Sequence, residues 1–272
     1  KINGYLRRPG SMILMFLVML APFITFALLL FLIFYILISG IPYIKPSLFS
    51  LHYTSDNASV IPALINTVVM TLLSLLIAVP FGIFSAIFLV EYAGKGNKFI
   101  EVIRLTTETL SGIPSIVYGL FGMLFFVNTL KWGFSVLAGA FTLSIMILPL
   151  IMRQTEEALK AVPDSYREGS FGLGAGKLRT VFRIVLPSAV PGILAGVILA
   201  IGRIVGETAA LIYTAGTVAQ VPKNVLGSGR TLAIHMYMLS SEGLYMNQAY
   251  ATAVILLVLV VAINNLSGVV AK

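Results

Sequence analysis

The chain has 272 residues, of which 58% are hydrophobic and only 10% are charged. Soluble domains carry about 25% charged residues, so this composition excludes a soluble globular protein and predicts a polytopic membrane protein. The net charge of +8 does not indicate nucleic-acid binding, because basic residues of membrane proteins collect in cytoplasmic loops. The absence of cysteine excludes disulfides and thiolate metal sites.

Six stretches are long and apolar enough to cross a bilayer, for which a helix needs about 20 mostly apolar residues. We therefore predict an all-α fold with six transmembrane helices, at 12–38, 63–90, 110–130, 134–152, 189–219 and 247–266. Residues 1–11 are expected to form an N-terminal segment, and residues 12–272 a single transmembrane domain surrounded by membrane lipid.

Basic residues predict the orientation of these helices. If the N-terminus is inside, one side of the membrane holds 13 Lys and Arg residues and the other side holds four, with Arg203 inside a predicted span. Cytoplasmic loops carry the excess of positive charge in membrane proteins. We therefore expect both termini and the polar loop 153–187 to lie in the cytoplasm.

The 153–187 loop, between the fourth and fifth spans, is predicted to fold as two short helices joined by a glycine turn. Asp164 can cap the first helix after Pro163, and the glycine-rich run 172–176 would end it. A second amphipathic piece, 178–186, is expected to stop at Pro187 before the chain re-enters the membrane.

Part of this loop matches a known motif. From Glu168 it reads Glu168-Gly169-Ser170-x3-Gly174-x9-Ile184-x-Leu186-Pro187, which resembles the EAA loop, E-A-A-x3-G-x9-I-x-L-P, of ABC importer permeases. The departure is Gly169-Ser170 in place of Ala-Ala, and both substitutes are small. The resemblance implies a loop that docks in a cleft of an ATPase subunit, and an ordinary amphipathic loop is the alternative.

A charged pair, Arg203 and Glu207, lies inside the predicted fifth span. A charge in the middle of a bilayer costs about 2.5–3.5 kcal/mol, so such residues normally face a bundle interior or a water-filled path. Their four-residue spacing puts both on one helical face, where they can pair, together with Thr214. This face predicts a lining of the substrate path, and a structural salt bridge is the alternative.

The third predicted span contains a proline. Pro114 permits a kink, and Ser115 and Tyr118 supply hydroxyl groups three residues apart that could face the same path. A kinked packing helix with interfacial polar residues explains the same pattern.

No residue pattern predicts a cofactor or a metal in this chain. His52 and His235 have no acidic partner at ligand spacing. The run from Gly172 to Lys177 resembles a Walker A loop only in part, because Phe171 and Leu178 stand where that pattern needs Gly and Ser or Thr. We expect no catalytic activity in this chain.

The whole chain is similar to the phosphate ABC importer permeases of the PstA type, which are MetI-like. The similarity is carried by the loop and by the stretches GIPSIVYGLFG (112–122), GRIVGETAALIYTAG (202–216) and AYATA (249–253). It implies a type I ABC importer fold in the cell membrane, with phosphate as the substrate. It also implies a sister permease PstC, a dimer of the ATPase PstB that uses ATP and Mg, and an external phosphate-binding protein PstS.

Charge alone does not select the anion. The planar guanidinium of Arg203 matches phosphate oxygens, and sulfate or molybdate would be served by similar chemistry. A permease for another oxyanion is therefore one alternative. An ATP-independent anion transporter is a second, which would leave the motif from Glu168 to Pro187 unexplained.

Overall fold

The computed structural model describes residues 9–93 and 98–270, and all regular secondary structure within these ranges is helical. Most of the predicted N-terminal segment 1–11 lies outside the described residues. So do five of the basic residues that predict the orientation, Lys1, Arg7, Arg8, Lys95 and Lys272.

Eleven α-helices follow one another in the described ranges. They are α1 (Pro9–Gly40), α2 (Ile61–Ile87), α3 (Lys98–Ser111), α4 (Ser115–Gly122), α5 (Val136–Lys160), α6 (Asp164–Gly172), α7 (Lys177–Thr180), α8 (Leu186–Val205), α9 (Ala209–Ile212), α10 (Leu232–Ser241) and α11 (Met246–Val270). Three π-helical segments extend or join them: Phe88–Tyr92 after α2, Met123–Thr129 after α4, and Val181–Val185 between α7 and α8.

Five helical runs are long and apolar enough to cross a membrane: Met12–Tyr43, Ile61–Tyr92, Val136–Lys160, Lys177–Val205 and Met246–Asn265. A bent pair, Lys98–Ser111 with Ser115–Thr129, supplies a sixth if its two helices count as one span. The predicted all-helical, polytopic membrane fold is therefore confirmed.

The third span differs from its prediction. The sequence predicts one kinked helix over 110–130, but α3 and α4 meet at an angle of 101° with a complete break at residues 112–114. Pro114 has no N–H and disfavours the helical conformation of Ile113, and the adjacent Gly112 adds backbone freedom. The prediction also omits α3, because its apolar residues are mixed with charged ones such as Arg104.

Both boundaries of the predicted fifth span are wrong. Pro187 does not end the preceding helix, because α7, the π-helical turn and α8 form one run from Lys177 to Val205. The π-helical turn shifts the hydrogen-bond register just ahead of Pro187, which then lies in the first turn of α8, where its missing N–H is tolerated. At the other end, α8 stops at Val205 instead of continuing to residue 219.

The core lies between α2, α5 and α8. It contains fully buried apolar side chains such as Met70, Leu143 and Ile204. A polar seam joins α2 to α5, because Ser74 and Ser144 each donate a hydrogen bond to a backbone carbonyl of the opposite helix. In contrast, α1 buries no residue of its most apolar stretch.

Candidate functional site

The 153–187 loop forms the predicted helix–turn–helix. Between α6 and α7, Gly174 has a left-handed φ of +82°. Its N–H donates to the carbonyl of Phe171 at 2.9 Å, and the next N–H, of Ala175, donates to the carbonyl of Ser170 at 3.1 Å. These two bonds form a Schellman motif, which ends α6 and reverses the chain toward α7.

One departure from the EAA pattern has a structural role and the other has none. Ser170 is buried, and its hydroxyl shares a 2.8 Å hydrogen bond with the buried hydroxyl of Thr180, which holds α6 against α7. Gly169 is exposed, and no atom lies within 4 Å of the position that a Cβ would take. Of these two positions, only 170 is constrained by packing within the chain.

The tip of the loop presents an apolar surface with basic residues beside it. Leu173 is 92% exposed, and Leu178 is also largely exposed. An open groove of about 530 Å³ runs beside them, lined in part by Arg179 and Arg183. Among the remaining motif residues, Glu168 and Pro187 are exposed, and Ile184 and Leu186 are half-buried. Gly174 and Ile184 line the groove.

Arg167 binds two backbone carbonyls and two carboxylates, and the sequence alone does not predict these contacts. Its guanidinium donates to the carbonyl of Leu159 at 2.9 Å, within the last turn of α5, and to the carbonyl of Val162 at 2.8 Å, just beyond it. It also pairs with Glu91 at 2.7 Å and with Asp164 at 3.2 Å. Asp164 therefore does not cap α6 as predicted, because the N-cap position is Pro163 and Asp164 binds Arg167 instead.

Arg203 and Glu207 do not share a helical face. Because α8 ends at Val205, Glu207 lies beyond it in a tight turn, where its buried carboxylate accepts a 3.0 Å hydrogen bond from the N–H of Ala210. Arg203 is exposed, and no ion pair joins it to Glu207 in the described part of the chain. The prediction of one continuous polar face through Thr214 is wrong for this reason.

The hydroxyl groups of the predicted path are largely used inside the fold. Tyr118 is buried and donates a 2.7 Å hydrogen bond to the carbonyl of Leu110, which bridges the break between α3 and α4. Thr214 is buried and donates to the carbonyl of Ala210 at 2.9 Å. Ser115 is half-buried at the start of α4.

Two glycines bring α4 against this region. A Cβ on Gly119 would lie 2.8 Å from the Cα of Ala210, and a Cβ on Gly122 would overlap Thr142 and lie 2.7 Å from Thr214. The first of these neighbours is backbone, which cannot move aside as a side chain can. The packing of α4 on α9, next to Glu207, therefore requires glycine at 119.

A charged cleft of about 270 Å³ separates α3 from α5. Glu156 is its most buried charge, and it pairs with Lys160 at 2.9 Å and with Arg104 at 3.6 Å. Arg153 and Glu157 form a second, exposed pair at 3.1 Å. Cations and carboxylates compensate one another here, so the cleft has no clear preference for an anion.

The opposite end of the bundle holds a buried polar cluster on α10. His235 is fully buried, and its ring nitrogen Nε2 lies 3.2 Å from the carbonyl of Ala58. Burial, and then the nearby charge of Arg230, lower the pKa of His235 to about 3, against the raising effect of that hydrogen bond. The guanidinium of Arg230 lies over the ring of Tyr53, with 4.7 Å to its centroid. No group of three or more His, Asp or Glu residues suited to a metal occurs within 9–93 and 98–270.

Comparison with known proteins gives relatives for most of the chain. The profile of the family described as binding-protein-dependent transport system inner membrane component matches residues 78–272. The probable ABC transporter permease protein YqgI of Bacillus subtilis is 36% identical over 238 residues, 80% of this chain and 79% of that protein. The phosphate transport system permease protein PstA of Pasteurella multocida is 36% identical over 212 residues, 77% of this chain and 75% of that protein.

Solved structures support the fold. A bacterial alginate ABC transporter aligns with a TM-score of 0.68 over 95% of both chains, at 19% sequence identity. An inward-facing MetNI methionine ABC transporter aligns with a TM-score of 0.60, over 76% of this chain and 90% of that one, at 20% identity. At these sequence identities the similarity concerns the fold alone, and it relates the helical arrangement of this chain to ABC transporters of known structure.

Proposed function

The chain belongs to the family of binding-protein-dependent transport system inner membrane components, and we propose that it is a permease subunit of an ATP-driven phosphate importer. The observation that carries this proposal is the helix–turn–helix of the 153–187 loop, closed by Gly174 and the Ser170–Thr180 hydrogen bond. A rigid, exposed apolar tip between two membrane helices suits docking to a motor subunit. The choice of phosphate is supported by the similarity to PstA permeases.

The proposal includes the partners that such a subunit needs. A sister permease PstC would complete the path, a dimer of the ATPase PstB would bind the 153–187 loop and hydrolyse ATP with Mg, and PstS would deliver phosphate from outside. The chain itself would carry no cofactor and no catalytic site. Both termini and the loop would lie in the cytoplasm, in keeping with the distribution of basic residues.

Arg203 is the residue that we assign to the phosphate path. Its side chain is exposed although it lies in a candidate membrane span, and no ion pair joins it to Glu207, whose carboxylate accepts a hydrogen bond from the N–H of Ala210. A planar guanidinium with free donors suits a phosphate oxyanion. Ser115, Tyr118 and Thr214 would shape the wall of the path through packing and would contribute few free hydroxyl groups.

Uptake of radiolabelled phosphate into vesicles that hold the assembled transporter tests this function. Transport should require ATP, the ATPase subunit and the binding protein. Unlabelled phosphate should compete with the labelled phosphate, and the same concentration of sulfate or molybdate should not. Competition by sulfate or molybdate would identify a permease for another oxyanion. Uptake without the ATPase subunit would identify an ATP-independent transporter.

The matched variants Arg203→Gln and Arg153→Gln test the assignment of the path. Loss of a charge-assisted hydrogen bond, which contributes about 1.5–3 kcal/mol, should lower uptake by Arg203→Gln about tenfold or more at an equal amount of assembled complex. Arg153→Gln removes only an exposed ion pair and should transport like the wild type. Equal uptake by both variants would remove Arg203 from the path.

A further inference from the structure

The 153–187 loop is connected through the chain to α5 and α8, but it also contacts the end of α2, which is remote in sequence. Arg167 of α6 donates to Oε1 of Glu91 through Nη2 at 2.7 Å and through Nε at 3.2 Å. Glu91 lies in the π-helical segment Phe88–Tyr92 that extends α2. Both side chains are largely buried, with 15% of Arg167 and 8% of Glu91 exposed.

A second contact joins the other helix of the loop to the same segment. The Nζ atom of Lys177, the first residue of α7, lies 5.0 Å from the ring centroid of Tyr92. This arrangement is a cation–π contact. The adjacent residues Glu91 and Tyr92 thus hold α6 and α7 respectively, so the end of α2 contacts both halves of the helix–turn–helix.

An apolar layer supports these polar contacts. Ile87 of α2 packs in one buried cluster with Val162 before α6 and with Val181 and Val185 after α7. Stability alone gives little reason to place an ion pair next to this layer, because the desolvation of two charges offsets most of their attraction. The pair does fix one geometry, since the guanidinium also binds the carbonyls of Leu159 and Val162.

We propose that Glu91 and Arg167 are positioning residues that transmit movement of the 153–187 loop to α2. The inference rests on the proposed function, in which an ATPase moves this loop. Because α2 packs along α5 in the core, a loop held to all three helices would move them as a unit. Without the link, the Phe88–Tyr92 end of α2 would lag behind α5 and α8 when ATP hydrolysis moves the loop, and less phosphate would cross for each ATP.

The variant Glu91→Gln tests this role, with Asp164→Asn as its matched control. Both remove a carboxylate that pairs with Arg167, but Glu91 belongs to α2, whereas Asp164 lies within α6 and is 85% exposed. The measurement is phosphate transported per ATP hydrolysed, at equal assembly and with the binding protein present. Glu91→Gln should lower this ratio about fivefold or more, and Asp164→Asn should leave it unchanged.

A rescue experiment separates transmission from a simple loss of structure. The chain has no cysteine, so Tyr92→Cys with Lys177→Cys, added to Glu91→Gln, offers one defined pair for a short bis-maleimide crosslinker. Crosslinking should restore the ratio of phosphate to ATP. If Glu91→Gln fails to assemble, Tyr92→Leu carries the test, because it removes the second contact without disturbing a charge, and it should lower the ratio in the same direction.

The outcomes distinguish this inference from the proposed function. A wild-type complex that shows no ATP-dependent phosphate uptake would overturn the proposed function. A wild-type complex that transports, together with Glu91→Gln and Tyr92→Leu variants of unchanged phosphate-to-ATP ratio, would overturn the positioning role alone. A lowered ratio that the crosslink does not restore would also count against transmission through α2.

Discussion

Substitution of Gly174 should uncouple the 153–187 loop through backbone strain. Its φ is +82°, and no atom of the chain lies within 4 Å of the position of a Cβ, so a side chain meets no steric clash here. An L-residue in the left-handed region costs about 1–2 kcal/mol. That cost lowers the population of the correctly turned loop by a factor of about 5–30.

Three substitutions at this position separate strain from size. Asn tolerates the left-handed region best, Ala less well, and the β-branched Val least. Stimulation of ATPase activity by the loaded binding protein should therefore fall in the order Gly, Asn, Ala, Val at equal assembly. The control is Gly172→Ala, which also has open space around its Cβ but has no left-handed φ, and it should behave like the wild type.

The order of these variants decides between two explanations. If a tight cleft in the ATPase excludes any side chain at 174, Ala should be tolerated better than the larger Asn. If the backbone conformation is what matters, Asn should be tolerated better than Ala. Equal stimulation in Gly174→Val and the wild type would refute the reasoning altogether, because the turn would then need no special residue.

Two further predictions concern the rest of the bundle. His235, which lies outside the candidate spans, has its pKa lowered from 6.5 to about 3, so stability should be lost as the pH falls below about 6.5. The loss between pH 7 and pH 5 should be about 2 kcal/mol, seen as a lower melting temperature in detergent and absent in His235→Leu; an equal acid response in both would contradict it. Gly119→Ala places a methyl group 2.8 Å from the backbone of Ala210. This substitution should lower the free energy of unfolding by about 1–3 kcal/mol and should lower phosphate uptake. Gly112→Ala, whose Cβ would have its nearest neighbour at 3.5 Å, should change neither.

Hydropathy and one motif predict most of the architecture, because both are local properties of the sequence. The apolar stretches locate all six spans if the bent pair α3 and α4 counts as one, and the spacing from Glu168 to Pro187 predicts the helix–turn–helix. The C-terminal boundary of the fifth span is wrong because the periodicity argument assumes a continuous helix. The helix ends at Val205, and the carboxylate of Glu207 accepts a hydrogen bond from the N–H of Ala210 in the first turn of α9, which no hydrophobic pattern reveals.

The contacts of Arg167 could not be predicted in the same way. Glu91 is 76 residues away in sequence, and the pair forms only once the segment Phe88–Tyr92 and α6 meet in the fold. Two local signals do exist: Glu91 is an acidic residue at the end of an apolar span, and Arg167 directly precedes the motif. Each has an ordinary explanation at a membrane surface, so only the folded arrangement connects them.

The exposure of Arg203 indicates where the path must lie if the proposed function holds. A cation in a span is unfavourable against lipid, so the face of α8 that carries it must meet water or another protein. The buried carboxylate of Glu207 forms no ion pair with Arg203 and binds the N–H of Ala210 instead. The sister permease would therefore cover this face, and the anion would pass between the two subunits, beside α4 and its break at residues 112–114. Contact between the path and this break would let a movement of α3 at the loop end alter the surroundings of the bound anion.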